Sequence, residues 1–223
     1  MFGKSRGALT LCFSFSLALS FLLGSTLCVD DAAAKAKGTG ERGKGEGRKD
    51  NWKKALQGSP NIAACKLKVE QNPNSADAHN DLGWAYRQND QLKEAEQELR
   101  KAIELDDTIP YGHSNLSVVL LDTGRIKEAV TEAERAVGID GKRAVFRVVY
   151  GNALVADKQL DKAVEQYKTA VELQPNYENA LYHLGRTLHE QGKSAEAGAV
   201  LSQAIELDPE DVRVMKLLDK ILK

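Results

Sequence analysis

Cysteine is scarce in this sequence. There are three cysteines, and two of them, Cys12 and Cys28, lie within the first 29 residues. If that stretch is removed, Cys65 is the one thiol left, so the remaining chain cannot form an intrachain disulfide. Cys65 falls on the apolar face of a predicted helix, which favours burial as a small hydrophobic side chain over a reactive thiol.

Catalytic and cofactor motifs are also missing. The sequence has no Cys-x-x-Cys-His haem site, no phosphate-binding loop, no nucleophile elbow and no His-Glu-x-x-His motif. His183 and His189 lie about 120° apart around a helix, and without a third ligand they make a weak metal site. His79 and His113 fall at predicted packing positions. We therefore predict a non-enzymatic protein without metal or cofactor.

Neither sign of charge is in excess overall, since 31 basic residues face 32 acidic ones. The distribution is uneven, however: residues 76–211 hold 15 basic and 25 acidic residues, whereas residues 212–223 hold four and one. An acidic segment does not suit nucleic acid, whose binding depends on neutralising phosphates. It either attracts a basic partner or simply keeps the protein soluble.

A 34-residue repeat dominates the segment 76–211. Three positions of each unit are small and a fourth is aliphatic in all four units. The residues are Gly83, Ser117, Gly151 and Gly185; Ala95, Ala129, Ala163 and Ala197; Ala102, Ala136, Ala170 and Ala204; and Leu105, Ile139, Leu173 and Leu207. A fixed period of this length is the mark of a repeat architecture.

Each unit contains two helical patterns, as in residues 80–88 and 92–105 of the first unit. Apolar residues recur there at intervals of three and four, which is typical of one buried helical stripe. Small residues such as Gly83 and Ala95 let two helices approach closely. One such pair cannot bury its apolar face alone, so neighbouring units must stack.

The unit resembles the tetratricopeptide repeat at its small-residue, alanine and proline positions, as in Leu184–Gly185, Ala197, Leu201, Ala204 and Pro209. The resemblance implies an all-α, right-handed solenoid of antiparallel helix pairs with capping helices. Its four units are 76–109, 110–143, 144–177 and 178–211. At the fourth position, where the family often has a large aromatic residue, this chain has His79, His113, Arg147 and Leu181.

Both ends of the array are predicted to be capped. Residues 51–75 look like a degenerate repeat, because Cys65 stands one repeat length before Leu99 and so shares the register of a second helix. Residues 212–223 continue the apolar stripe and carry basic residues elsewhere, as a C-terminal capping helix does. Terminal repeats are usually atypical because one of their faces meets water.

Residues 1–34 have the pattern of a secretory signal. Lys4 and Arg6 precede an uncharged run rich in Leu, Phe, Ser and Ala, and small residues follow, so cleavage is predicted after Ala34. The run over residues 8–29 is also long enough to span a bilayer as a retained signal anchor.

Lipidation of Cys28 is a third alternative, but Leu27 is not the small residue that a bacterial lipoprotein signal has before its cysteine. All three alternatives place the repeats outside the cytoplasm, in the periplasm or anchored to a membrane and facing the periplasm. Residues 35–50 are a predicted disordered Gly- and Lys-rich linker. It is either a solvated spacer or a basic tether to an anionic surface.

A binding groove follows from the resemblance, because the first helices of tetratricopeptide arrays line the concave side. Its middle is aliphatic, which marks an interaction site unless the valines pack between units. The predicted groove residues are Asn80, Trp84, Arg87, Tyr111, Asn115, Val118, Leu121, Val145, Val148, Val149, Asn152, Tyr182, His183, Arg186 and His189.

The predicted partner is a protein or peptide, as an amphipathic helix or an extended segment with aliphatic anchors. Some members of the family grip a C-terminal carboxylate, and of the matching positions Asn80, Trp84, Asn115, Val145 and Val149 only Asn115 fits, so no such clamp is predicted. The predicted function is a non-catalytic adaptor for assembly of an envelope complex. The alternatives are a self-associating structural module and a membrane-anchored assembly factor, and the oligomeric state stays open.

Overall fold

The structure, a computed structural model, describes residues 60–222. This part of the chain forms ten α-helices and contains no strand. They are α1 (Pro60–Gln71), α2 (Ala76–Gln88), α3 (Leu92–Leu105), α4 (Pro110–Asp122), α5 (Ile126–Ile139), α6 (Ala144–Ala156), α7 (Leu160–Leu173), α8 (Glu178–Glu190), α9 (Ser194–Leu207) and α10 (Val212–Leu222). The predicted signal, the predicted linker and residues 51–59 of the predicted N-terminal cap lie outside the described residues.

The helices pair in sequence order, and the pairs stack. The most extensive contacts join α2 to α3, α4 to α5, α6 to α7 and α8 to α9, and smaller contacts join each pair to the next. Equivalent helices of successive units start one repeat length apart, because the length of the unit is constant. The predicted all-α solenoid of helix pairs is therefore confirmed. Among the described helices, none has the length and hydropathy that crossing a bilayer requires.

Glycine sets the spacing within three of the helix pairs. A Cβ atom at Gly83 would lie 2.6 Å from Cγ of Leu99, and one at Gly185 would lie 2.6 Å from Cγ of Leu201. The second pair has Ser117 at this position, and its hydroxyl donates a hydrogen bond of 2.8 Å to the carbonyl oxygen of Ala129. The first and second helices of a unit therefore touch where the sequence has its small residues.

The turn between the two helices of each unit contains one residue in the left-handed conformation. Asp90, Gly124, Lys158 and Gly192 occupy this position, with φ values of 62°, 78°, 64° and 79°. Glycine adopts that conformation without steric cost, whereas a lysine pays roughly 1–2 kcal/mol for it. Lys158 is therefore a locally strained residue.

Replacing Lys158 by glycine is expected to stabilise the protein by about 1 kcal/mol. The free energy gained by removing the backbone strain is larger than the entropic cost of a more flexible unfolded chain. Urea unfolding followed by circular dichroism measures the change. The matched reverse substitution, Gly124→Lys, should lower stability by a similar amount, since a Cβ there meets nothing within 4 Å. Equal stability of all three proteins would contradict the expectation.

The terminal helices are half-repeats in the expected registers. α1 ends one repeat length before α3 ends, and Cys65 on it is buried against Ile62, Leu82 and Ala85. The predicted burial of Cys65 is thus confirmed. α10 begins one repeat length after the start of α8 and has one fully buried residue, Val214. The array thus begins, within the described residues, on a second helix and ends on a first helix.

A repeated polar bridge joins the two helices of the first three units. In each unit the fourth residue of the first helix bonds a carbonyl six residues earlier and a side chain 19 residues later. The bonds are His79 to Pro73 O (2.9 Å) and Glu98 (2.6 Å), His113 to Asp107 O (3.1 Å) and Glu132 (2.7 Å), and Arg147 to Gly141 O (3.1 Å) and Gln166 (2.8 Å). The fourth unit has buried Leu181 instead. Polar bonds thus take the place of an aromatic core residue.

Candidate functional site

The first helices form the inner side of the array. α2 contacts α4, α4 contacts α6, α6 contacts α8 and α8 contacts α10, whereas contacts of comparable extent between successive second helices are not found within residues 60–222. Helices that touch their equivalents in the next unit lie on the inside of the curve, and those that do not lie outside. All fifteen predicted groove residues belong to these first helices.

Two of the fifteen predicted residues are buried. Val148 is 5% exposed and belongs to a core cluster with Leu154, Ala163 and Tyr167, so the prediction that it lines the groove is wrong. The prediction is wrong for Asn80 too, which is 7% exposed and whose Oδ1 accepts a hydrogen bond of 2.9 Å from Asn115. The other thirteen are half-buried. We define the trough as Trp84, Arg87, Tyr111, Asn115, Val118, Leu121, Val145, Val149, Asn152, Tyr182, His183, Arg186 and His189.

The middle of the trough is an aliphatic strip made by Val118, Val145 and Val149. All three are half-buried, and none belongs to the four hydrophobic clusters of the described residues. Leu121 and Val155, by contrast, pack against those clusters. Some aliphatic residues of the inner face therefore serve packing between helices, while the three valines of the strip lie outside the clusters.

The N-terminal end of the trough carries an aromatic residue covered by a guanidinium group. The guanidinium carbon of Arg87 lies 5.0 Å from the ring centre of Trp84, and its Nε donates a hydrogen bond of 2.8 Å to Asp122. In the next unit, Arg143 covers the ring of Tyr111 at 5.4 Å and also bonds its hydroxyl. Each cation stacks on a π face while it remains paired with its own chain.

The C-terminal end has a similar arrangement with an additional histidine. Tyr182 lies between Arg186, at 5.8 Å, and Arg213 of α10, at 4.9 Å. The ring of His183 stacks on Tyr167 of α7 at 5.7 Å and meets the edge of Tyr182 at 5.4 Å. Arg213 and Tyr167 are not among the predicted site residues, because they come from the capping helix and from a second helix.

Burial dominates the electrostatics of this end. Burial first, and then the charges of Arg186 and Arg213, lower the pKa of His183 to about 4, so the ring is neutral at pH 7. Burial also raises the pKa of Tyr167. Nδ1 of His183 and Nε of Arg186 are buried and have no hydrogen-bond partner among residues 60–222. A buried nitrogen without a hydrogen bond is costly.

The cations of the inner face are largely neutralised by carboxylates of the same chain. Arg213 forms an ion pair of 2.7 Å with Asp211, and this hydrogen bond lowers the pKa of Asp211. Arg186 lies 3.9 Å from Glu190, a looser pair. Since Arg87 is paired as well, the trough presents apolar and aromatic surface rather than a field of one sign. The excess of acidic residues in segment 76–211 is therefore not concentrated in the trough.

The histidines do not assemble a metal site in the part of the chain that is described. No group of three or more His, Cys, Asp or Glu side chains in residues 60–222 is placed to hold a metal ion. His189 instead lies 3.4 Å from the hydroxyl of Ser194 through Nδ1.

Family comparisons agree with this geometry. Models of the tetratricopeptide repeat match residues 69–97, 110–135, 151–192 and 178–211, which together cover more than half of the sequence. The chain belongs to the tetratricopeptide-repeat family.

The individual proteins that resemble this chain have low sequence identity to it. The chain is 26% identical over 157 residues to the type IV pilus assembly protein PilF of Pseudomonas aeruginosa, covering 66% of this chain and 62% of that protein. It spans less than two thirds of the length of each curated relative that it matches. A solved structure from the functional characterisation of the Pseudomonas pilF protein matches with a TM-score of 0.63 at 19% identity, over 78% of this chain and 83% of that one.

Two other solved structures show the same fold. YrrB, described as a TPR protein with an unusual peptide-binding site, matches with a TM-score of 0.58 at 23% identity, over 75% of this chain and 85% of that one. MamA from Desulfovibrio magneticus RS-1 matches with a TM-score of 0.60 at 22% identity, over 73% of this chain and 94% of that one.

Proposed function

We propose that this chain is a non-catalytic scaffold whose trough binds an aliphatic part of a partner protein, either an amphipathic helix or an extended segment. The aliphatic strip of Val118, Val145 and Val149 carries the proposal. These side chains are half-buried, lie outside the hydrophobic clusters and sit between two aromatic ends. Apolar surface framed by aromatic and polar residues is the usual composition of a protein–protein contact.

Export to the envelope is part of the proposal and depends on the sequence of residues 1–34 alone. The similarity to a pilus assembly protein supports a role in assembling an envelope complex. A retained anchor through residues 8–29 and lipidation of Cys28 are the alternatives to cleavage after Ala34. Cell fractionation together with N-terminal sequencing of the mature chain distinguishes them, and a cytoplasmic protein with an intact N-terminus and no membrane association would contradict all three.

A substitution in the strip tests the trough. Val149→Asp is expected to weaken partner binding at least about tenfold, or roughly 1.4 kcal/mol, because a carboxylate replaces an apolar contact. The far-UV circular dichroism should be unchanged. Photo-crosslinking residues at Val118 and Val149 identify the partner in cells, with Thr131 on the outer face as the matched control. Equal crosslinking at Thr131, or binding that survives Val149→Asp, would contradict the proposal.

Self-association is a second candidate, and the exposed apolar residues of α10 favour it. Val212 is 57% exposed, Met215 51% and Leu222 81%. However, Asp219 stands where the full units have glycine or serine, and a side chain there obstructs a closely packed second helix. A partner copy would therefore contact α10 less intimately than the repeats contact one another. Light scattering over a concentration series measures whether copies associate.

A further inference from the structure

His183 occupies an unusual place in the array. Its ring is held between Tyr167 of α7 and Tyr182 of its own helix, at the C-terminal end of the trough. The hydroxyl of Tyr167 donates a hydrogen bond of 2.7 Å to Asn152 of α6, which fixes the ring on which His183 stacks. His183 thus contributes to the contact between the third and fourth units and also lines the trough.

The surroundings of the His183 ring favour the neutral imidazole over the protonated form. Arg186 and Arg213 act on it with positive charge, from its own helix and from the capping helix. The nearby carboxylates are already engaged, since Asp211 pairs with Arg213 and Glu190 lies beside Arg186.

Among the other described neighbours, no carboxylate is paired with the ring. Glu178 acts on Arg213, and α9 packs on α8 through the uncharged Ala197 and Leu201. Nδ1 of the ring is buried and forms no hydrogen bond within the described part of the chain.

We propose that His183 is an acid-sensitive latch: gaining a proton expels its ring from between Tyr167 and Tyr182 and loosens the C-terminal end of the trough. A protonated ring would be a third cation beside two guanidinium groups, in a place where no carboxylate of residues 60–222 is paired with it. If the protonated ring moves into water, the cost of burying its charge and the repulsion from the two guanidinium groups are both removed. The expelled ring takes its edge contact away from Tyr182.

The direction of the pH response follows from linkage. The pKa of His183 is about 4 in the closed array, below the ordinary value of 6.5. Conformations in which the ring is free therefore bind a proton at higher pH than the closed one does. As the pH falls from 6.5 to 4, the balance shifts toward those open conformations, by up to roughly two orders of magnitude. Above pH 6.5 the latch has no effect.

Release of a partner in acid rests on the proposed function of the trough, whereas the opening itself does not. Opening would change the surface formed by Tyr182, His183 and Arg186, which are three of the thirteen trough residues. A partner held at that end would dissociate as the compartment is acidified. The strip of valines, which lies in the second and third units, would keep its shape.

Hydrogen exchange on the full chain tests the opening without any partner. At pH 4.5, with rates corrected for the intrinsic effect of pH, protection of α8–α10 is expected to fall at least tenfold more than protection of α2–α3, relative to pH 7. In His183→Phe, which keeps an aromatic ring but cannot take up a proton, this additional loss should be absent. His189→Gln serves as the matched control and should behave as the original protein.

Two results would overturn the latch. One is an equal loss of protection in the original protein and in His183→Phe, and the other is no selective loss in α8–α10 at all. Nuclear magnetic resonance of the histidine rings gives an independent check, with an expected midpoint for His183 of about 4. A midpoint above 6 would show that the ring is freely hydrated. If crosslinking finds no trough partner at pH 7, the proposed function fails while these measurements still decide on the latch.

Discussion

Replacing Val148 with aspartate is expected to lower the free energy of unfolding by at least about 4 kcal/mol and to disrupt the third helix pair. Val148 is 5% exposed and packs in the cluster that contains Leu154 and Tyr167. The change removes a buried aliphatic side chain, worth about 2 kcal/mol, and introduces a carboxylate into that cluster. Urea unfolding by circular dichroism measures the loss. Because repeat arrays unfold in parts, hydrogen exchange should show the damage centred on α6 and α7.

The neighbouring residue provides a control of the same chemistry. Val149→Asp places the carboxylate in the trough, where the side chain is half-buried and outside the clusters, so less than about 1 kcal/mol should be lost. The two variants thus separate folding from binding at adjacent positions. Equal destabilisation by both would show that the strip is part of the core and would remove the basis of the proposed binding surface.

The fold was predictable because the same pattern of small and aliphatic residues occurs in four successive units. A single glycine such as Gly83 would be weak evidence for helix packing, but its equivalents recur at one interval through four units. The structure then shows the physical reason, since a Cβ at these glycines would overlap the facing second helix. Residues 1–59 have no such repetition. What the sequence predicts for them remains a prediction: a signal over 1–34, a linker over 35–50 and the start of the N-terminal cap over 51–59.

The site was less predictable, because Val148 and Val149 are chemically identical neighbours. Nothing in their own side chains shows which of the two faces the core. The burial of Val148 depends on α7, because Ala163 and Tyr167 of that helix belong to the same hydrophobic cluster. The equivalent of Val148 in the second unit is Ser114, which is buried although it is polar, so hydrophobicity does not identify the position.

Two further features depend on residues that are distant in sequence. Arg213 reaches Tyr182 from the capping helix, and Tyr167 supports His183 from the preceding unit. The bridges at His79 and His113 also required the structure, because Glu98 and Glu132 are ordinary surface residues of a helix in the sequence. A sequence signal does exist in retrospect, since both pairs have the same separation along the chain.

Replacing Gly151 with alanine is expected to destabilise the protein by about 2–3 kcal/mol, despite the higher helix propensity of alanine. The new Cβ would lie 2.5 Å from Cε1 and 2.7 Å from Cζ of Tyr167. That ring cannot retreat easily, because it is fully buried and its hydroxyl is bonded to Asn152. Either the ring leaves its place or α6 and α7 move apart. Urea unfolding measures the cost.

Gly198→Ala is the matched control, because this glycine also lies inside a helix, α9, and a Cβ there meets nothing within 4 Å. It should stabilise the protein by up to about 1 kcal/mol through helix propensity alone. The opposite signs of the two changes would separate the demand for close approach from the intrinsic cost of glycine in a helix. If Gly151→Ala were as stable as Gly198→Ala, the helices of a unit would tolerate a wider spacing. The recurrence of small residues in every unit would then lack the packing explanation given for it, because the contact between paired helices would not depend on them.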